Sequence, residues 1–305
     1  MNSSIAALVA TYRRPAELRR LLQSLAQSVS RPTAVIVVDN DGSEEVRALV
    51  QAAFPGAHYV NPGKNLGCGG GLRFAEEQAL RLAPGDLTHF LILDDDAVVA
   101  PDSLNHLLVA MEAERADLAC PLVINEHGLV AWLPGLSRTM RHASGVTPEE
   151  FRKRFGAQPH PFIWSQGICL LVSRRAIERC GFHRDDFWVR GEDLEFSLRL
   201  TAQFRGVIVP EAVVEHLPPP GNPQSRAAEY LKHCAMVQNI AYISLRLPHG
   251  HRVAWTNLGT LKNFFRIWSW RGLGDVFRAW WRAIVLGEAA GRGGGRTFFK
   301  RLQAS

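Results

Sequence analysis

The chain has 305 residues, 47% apolar and 21% charged, a composition that suits a globular protein with a sizeable core and argues against a disordered or collagenous chain. Its formal charge of +6 is uneven: from Arg226 onward 13 Lys or Arg stand against Glu229, Asp275 and Glu288, which leaves the first two-thirds close to neutral or acidic. Five scattered cysteines without a C-x-x-C pair argue against a disulfide framework or a zinc site, and the lack of a signal-peptide pattern or of about 18 uninterrupted apolar residues predicts a cytoplasmic protein.

Residues 5–10 read as a buried strand and residues 15–28 as a helix with Pro15 in its first turn. A second strand over 34–38 ends in Asp39-Asn40-Asp41-Gly42-Ser43, followed by a helix over 44–54 and a short strand over 58–60. The glycine-rich segment 61–71 leads to a helix over 72–82, and then an apolar strand runs into Asp94-Asp95-Asp96. Beyond it lie a helix over 102–114 and a strand over 118–124. Residues 136–161 are polar, basic and proline-containing, and read as a mobile loop. An apolar segment follows over 162–172, then a short helix ending near Gly181, a helix over 191–203, and strands over 207–209 and 213–216. The proline-rich break at 217–223 divides a domain over 1–217 from a helical region over 224–305, whose amphipathic helices span 226–246 and 257–286. Strand alternating with helix predicts an α/β fold: a mostly parallel sheet flanked by helices, with a helical C-terminal extension.

Three patterns carry chemistry. The apolar run Phe90-Leu91-Ile92-Leu93 reads as a strand buried on both faces, and it delivers three carboxylates to the carboxyl edge of the sheet, where ligands bind in open α/β folds. Three adjacent like charges repel unless a cation sits among them. Alternating carboxylates hold a hard divalent cation; a solvated turn before the next helix is the plainer alternative. The Gly67-Cys68-Gly69-Gly70-Gly71 run has neither dinucleotide-binding nor P-loop spacing. Close packing at a helix entry or backbone approach to a phosphorylated ligand beside Lys64 would each demand it. Glu192 and Asp193 stand at a helix start beside Phe187 and Trp188, as capping carboxylates or as a base for a sugar hydroxyl. His216 is alone on an apolar segment; beside the Asp triplet it would complete a set for Mn2+ or Mg2+, and otherwise it is structural.

In order, Ala10-Thr11-Tyr12-Arg13, Val38 to Ser43, Lys64-Asn65-Leu66-Gly67, Leu93 to Asp96, Gly191-Glu192-Asp193 and His216 resemble the landmarks of glycosyltransferase family 2, inverting enzymes of the GT-A fold that use nucleotide-sugar donors. The resemblance covers residues 5–216 and within the family looks most like bacterial galactofuranosyl- and rhamnosyltransferases that build surface glycans. It implies that Thr11, Arg13 and Asp39 meet the base and ribose of a UDP- or dTDP-sugar, that Lys64 and Asn65 lie along the donor with Asp94 and Asp95, and that Asp94, Asp96 and His216 hold Mn2+ or Mg2+. Asp193 would be the catalytic base, with Trp164, Trp188 and Glu192 toward a glycan or glycolipid acceptor. One departure is Gly191-Glu192-Asp193 where galactofuranosyltransferases usually read Trp-Asp-Asp, which leaves the sugar open. Rival readings are a sugar-phosphate nucleotidylyltransferase, which wants glycines in the first turn, and a catalytically silent membrane-bound scaffold.

The tail interleaves Trp255, Trp268, Trp270, Trp280 and Trp281 with Lys262, Arg266, Arg271, Arg278 and Arg282, beside Phe264, Phe265, Ile267 and Phe277. This suits peripheral attachment to the inner face of an anionic membrane. A helical cap or a homo-oligomer interface is the alternative. Nucleic acid is not expected, because the strand-end site is acidic.

Overall fold

The computed structural model describes residues 3–82, 87–136, 140, 143–218, 226–248, 250–268 and 272–291. Strand β1 (Ser4–Thr11) is followed by α1 (Pro15–Gln27), β2 (Ala34–Asp39), α2 (Glu44–Ala53), β3 (His58–Val60), α3 (Gly67–Leu82) and β4 (Leu87–Asp94). Next come β5 (Ala97–Val99), α4 (Ser103–Ala113), β6 (Leu118–Ile124), β7 (Val130–Ala131), α5 (Pro148–Phe155) and β8 (His160–Phe162). The sheet region closes with β9 (Cys169–Ser173), α6 (Arg174–Cys180), α7 (Glu192–Thr201) and β10 (Gly206–His216). The strands form one ten-stranded sheet along the path β3-β2-β1-β4-β9-β6-β10-β5, with β7 on β6 and β8 on β10.

Pairing is parallel through β3-β2-β1-β4 and again between β6 and β10. β9 enters antiparallel to both of its neighbours, and β5 antiparallel to β10, so the sheet is mixed beyond β4. The middle positions of the central strands are apolar, as strands covered on both faces require. On β1, Ile5, Ala7 and Val9 pack into the layer under α1, α2 and α4, whereas Ala6 and Leu8 pack into the opposite layer with α3, α5 and α6. The carboxyl ends of β1, β2 and β4 therefore open on one common edge.

Several segments differ from the sequence reading: 207–209 and 213–216 form the single strand β10, and β5 and β7 stand where no strand is expected. α3 begins at Gly67, five residues before the expected start, because the glycine run is itself helical. The stretch read as a mobile loop contains α5, fixed by a capping box in which Thr147 accepts from the Glu150 amide and Glu150 reaches back to the Thr147 amide. The apolar segment 162–172 is two strands, β8 and β9, separated by a turn that carries Gln166 and Gly167 toward the sheet edge.

The C-terminal region comprises α8 (Arg226–Arg246), a 3-10 turn (Gly250–Val253), α9 (Ala254–Trp268), α10 (Leu273–Trp281) and a π-helical turn (Arg282–Leu286). Ile240 and Ile243 of α8 share an apolar cluster with Leu194 and Leu198 of α7. Most of the expected break at 217–223, together with Trp270, Arg271 and the Trp255 side chain, lies outside the described residues. Among those described, no helix is long and apolar enough to cross a membrane.

Candidate active site

β4 ends at Asp94 and β5 restarts at Ala97, so the aspartates form the turn between two strands. The antiparallel register of β5 on β10 sets His216 opposite Ala97, which brings the imidazole to the Asp triplet from far along the chain. His216 Nε2 lies 3.0 Å from Asp96 Oδ1, and Trp132 packs edge-on against the imidazole at 4.6 Å. One ligand atom from each of Asp94, Asp96 and His216 falls within 4.8 Å of the others. Arg14 closes the cluster from the loop after β1: its Nη1 donates to Asp95 Oδ1 at 3.0 Å and to Asp96 Oδ2 at 2.9 Å. The buried Thr11 hydroxyl donates to Asp95 Oδ2 at 2.7 Å, so Asp95 is turned inward and anchored.

Burial, reinforced by Asp96, pushes the Asp94 carboxyl up to about 8, and burial raises Asp95 to about 6 against the pull of Arg14. Asp96 is also desolvated, but His216 and Arg14 hold it below the usual carboxylate range. His216 loses hydration too, yet Asp96 and Asp94 raise it above an ordinary imidazole. The cluster thus concentrates more carboxylate than its cations balance. His216 Nδ1 is buried and makes no hydrogen bond, and the buried Asp96 Oδ1 meets only the His216 imidazole. Carboxylate oxygens with one imidazole form a donor set that fits Mn2+ or Mg2+.

The second group of carboxylates comes from α7. Arg190 and Gly191 adopt successive positive φ values of 63° and 96°, turning the chain so that Glu192 and Asp193 open the helix. Asp193 Oδ1 accepts from its neighbour Leu194 N at 2.7 Å, and Oδ2 accepts from Gly167 N at 3.3 Å, which fixes the carboxylate against the β8–β9 turn. Burial raises Asp193 despite those amides. Burial and Asp193 together push Glu192 up to about 7, and its Oε2 is buried without a hydrogen-bond partner.

Close packing accounts for the glycines ahead of this group. A Cβ on Gly67 would stand 2.3 Å from the Trp188 carbonyl oxygen, and one on Gly69 would stand 2.4 Å from that of Phe187. α3 therefore lies directly on the segment that leads to the carboxylates, joined to it where Cys68 N donates to Trp188 O at 2.8 Å.

The remaining expected residues divide. Asp39 is fully buried and organises its own loop, accepting from Asp41 N, Ser43 N and the Tyr59 hydroxyl at 3.0, 2.7 and 3.0 Å. Asn65 caps the α3 entry through Gly67 N at 2.8 Å, and Lys64 is exposed beside it. Arg13 is solvent-facing and pairs with Asp41 at 2.9 Å. Trp164 joins the apolar cluster between α7 and α8, and Trp188 packs with Ala235 and Ala290; neither lines the central cavity.

That cavity measures about 230 Å3 and is lined by Asp94, His216 and Trp132 together with Arg190, Glu192 and Asp193. It lies below the roughly 300–1,000 Å3 of a typical small-molecule site, and its size suits one sugar ring. A larger, open depression of about 490 Å3 lies at Asp117, Arg175 and Arg205, by the amino ends of β6 and β10. Its Asp117 is satisfied by Arg175 at 2.6 Å, and it is remote from the strand ends where α/β ligands bind. Arg14, Trp132 and Arg190 were absent from the sequence reading. Arg14 and Arg190 had a local signal, since they adjoin Arg13 and Gly191-Glu192-Asp193; Trp132 arrives through tertiary folding alone.

Known proteins align with this arrangement. Residues 6–179 match the model of Glycosyl transferase family 2. An N-acetylglucosaminyl-diphospho-decaprenol L-rhamnosyltransferase of Mycobacterium tuberculosis is 26% identical over 285 residues, covering 86% of this chain and 91% of the relative. The galactofuranosyltransferase GlfT1 of the same organism is 31% identical over 205 residues, covering 66% and 65%. In structure, TarS 1–349 of S. aureus in complex with UDP-GlcNAc superposes with a TM-score of 0.59 at 14% identity, over 92% of this chain and 81% of that one. The mannosyltransferase PcManGT of Pyrobaculum calidifontis, in complex with GDP-Man and Mn2+, gives 0.56 at 16%, over 100% and 80%. The chain belongs to glycosyl transferase family 2 and is a transferase enzyme.

Proposed function

We propose that the protein is an inverting, metal-dependent transferase that moves a rhamnose- or galactofuranose-like sugar from a UDP- or dTDP-sugar onto a hydroxyl of a growing, lipid-linked bacterial surface glycan. The observation that carries this reading is a single sugar-sized cavity lined by Asp94, which shares its candidate cation site with Asp96, and by Glu192 with Asp193. The relative named for L-rhamnose transfer and N-acetylglucosaminyl-diphospho-decaprenol supports both the sugar class and the lipid-linked acceptor.

In this reading Asp94, Asp96 and His216 hold Mn2+ or Mg2+, which supplies charge neutralisation at the leaving diphosphate. Arg14 keeps Asp95 and Asp96 in place. Thr11, Arg13 and Asp39 border the nucleoside, with Lys64 and Asn65 along the donor. Asp193 takes the acceptor hydroxyl proton as the acceptor oxygen bonds to the anomeric carbon. The bond from that carbon to the phosphate oxygen breaks, and its electron pair leaves on the diphosphate. Attack from the face opposite the leaving group inverts the anomeric centre. Glu192, with Trp164 and Trp188 behind it, shapes the acceptor side. Residues 1–217 carry the catalytic domain, and the region 224–305, whose α8 packs on α7, brings the enzyme to the inner membrane surface as a peripheral protein.

The test is a thermal-shift panel of nucleotide sugars with and without Mn2+, followed by transfer and NMR assignment of the product anomer. The matching donor at about 100 times its Kd adds roughly 2.7 kcal/mol. No response to any UDP- or dTDP-sugar, or a product that retains the donor's anomeric configuration, contradicts the reading.

A further inference from the structure

The tail does not present the face that its aromatic residues suggest. Phe264 is buried, and Trp268 packs edge-on against Tyr230 at 5.1 Å, so both turn inward onto α8. The apolar surface that meets solvent belongs to α10 and the π-helical turn. Val276 and Ala279 are buried against Cys234 and Val237, and Ala283 is buried on the same side. Leu273, Phe277, Trp281 and Val285 instead follow one another at every fourth position and are 53%, 69%, 51% and 51% exposed. With Ile284 they occupy roughly a third of the helix circumference. The helix has thus satisfied one apolar face in the core and presents a second one outward. A contiguous stripe of that kind on a folded protein marks an interaction surface.

Charge selects the occupant. The acids of this region are each engaged by cations: Glu229 by Arg190 and Lys232, both at 3.6 Å, Asp275 by Arg278, and Glu288 by Arg282 at 2.8 Å. Lys262, Arg266 and Arg278 are exposed, and 13 basic residues lie beyond residue 225. Arg278 and Arg282 flank the stripe at its polar border. An apolar, Trp-bearing strip edged by arginine and without an unengaged acid beside it matches the boundary between acyl chains and anionic headgroups.

We propose that Leu273, Phe277, Trp281, Ile284 and Val285 form the face on which the protein seats itself on an anionic bilayer, with the exposed Arg278 meeting the headgroup phosphates. The inference rests on the peripheral-membrane reading above and gives it specific residues. The full chain is sedimented with phosphatidylglycerol or phosphatidylcholine vesicles at low and high salt, and a Phe277→Glu/Trp281→Glu variant is compared with it. The natural protein binds phosphatidylglycerol at low salt, releases at high salt, and prefers it to phosphatidylcholine; the variant binds at least tenfold more weakly. Quenching of tryptophan emission by brominated-chain phosphatidylglycerol falls in Trp281→Phe, which keeps the stripe apolar should the double variant fail to fold.

Three outcomes overturn the proposal: no binding to anionic vesicles at low salt, equal binding by the double variant, or a dimer that the double variant converts to monomer while neither binds vesicles. The last assigns the stripe to a second copy of the chain. Nucleotide-induced thermal shifts are read on the same samples. Failure of the natural protein to bind vesicles with that response intact overturns the membrane face alone, whereas vesicle binding without any nucleotide response overturns the glycosyl-transfer reading alone.

Discussion

The side-chain amide of Asn239 donates to the main-chain oxygen of Arg190 at 2.7 Å, tying α8 to the turn that opens α7 and carries Glu192 and Asp193. The same amide reaches Val189 O at 3.3 Å, and the Asn239 oxygen accepts from Ala290 N at 2.9 Å. Asn239 is fully buried, so these bonds are not exchanged with water. The left-handed Arg190 is held by tertiary contact, since a non-glycine residue enters that region only at a cost. The C-terminal helices thus help to place Asp193 although every residue proposed for chemistry precedes Pro218.

Asn239→Ala leaves the Arg190 carbonyl and the Ala290 amide without their partner. The expected loss is about 1–3 kcal/mol of stability, with a fall in kcat and little change in donor affinity. Denaturant melts and initial rates measured together check this; a donor Kd that worsens as much as kcat would place the effect at the wrong end of the site.

Gly67→Ala and Gly69→Ala force a methyl into the Trp188 and Phe187 carbonyls, and Gly67 also has a φ of 74°. Each variant should lose about 1–3 kcal/mol or more, with Gly67→Ala the worse of the two. Gly63→Ala is the comparison: its φ is also 74° but it has open space around it, so it carries the backbone cost without the clash. Thermal melts of the three rank steric against conformational strain.

Stability of the metal-free protein should decline as pH rises. Asp94 at about 8 and Glu192 at about 7 both lie above their unfolded values, so the folded state binds those protons more tightly. Their contribution is complete below about pH 4 and is lost as pH climbs through about 7 and about 8. The raised His216 acts in the same direction. The depressed Asp96 acts oppositely, and its stabilisation is lost only at strongly acid pH. Melting temperatures in EDTA should therefore fall between pH 5 and pH 9. Asp94→Asn or Glu192→Gln should flatten the slope, and Mn2+ should offset it. A melting temperature that rises steadily over that interval contradicts the assignment.

Chelation should weaken nucleoside diphosphate binding, and Asp96→Ala should reproduce the chelator. His216→Ala should give a milder loss, because an imidazole holds a hard cation less firmly than a carboxylate does. Isothermal titration in EDTA and in Mn2+ separates these cases; equal affinity in the two buffers removes the metal from the account.

The Asp triplet was legible because an apolar strand that stops abruptly in charge has few structural uses, and the Glu192-Asp193 pair because it opens a helix beside aromatics. Their meeting was not legible, since it depends on the antiparallel pairing of β9 with β4, which sets Ile168 against Asp94 and Gly167 against Asp193 and which no local pattern encodes. The glycine run admitted two explanations, and the Trp188 and Phe187 carbonyls decide for close packing. α5 did carry its signal in Thr147-Pro148-Glu149-Glu150, obscured by the basic residues around it. In the tail, periodicity identified amphipathic helices, but which aromatic face turns inward is set by Tyr230 and Cys234 on α8, a tertiary fact.

The central claim, that Asp193 removes the acceptor proton at a site whose donor is held elsewhere, is tested most directly by Asp193→Asn. The substitution keeps the shape and the Leu194 amide contact while removing the base. Transfer to acceptor should fall by roughly 10²–10⁴-fold, with nucleotide-sugar affinity unchanged in the same preparation. Near-normal transfer by Asp193→Asn, or a far greater loss from Glu192→Gln, would contradict the account.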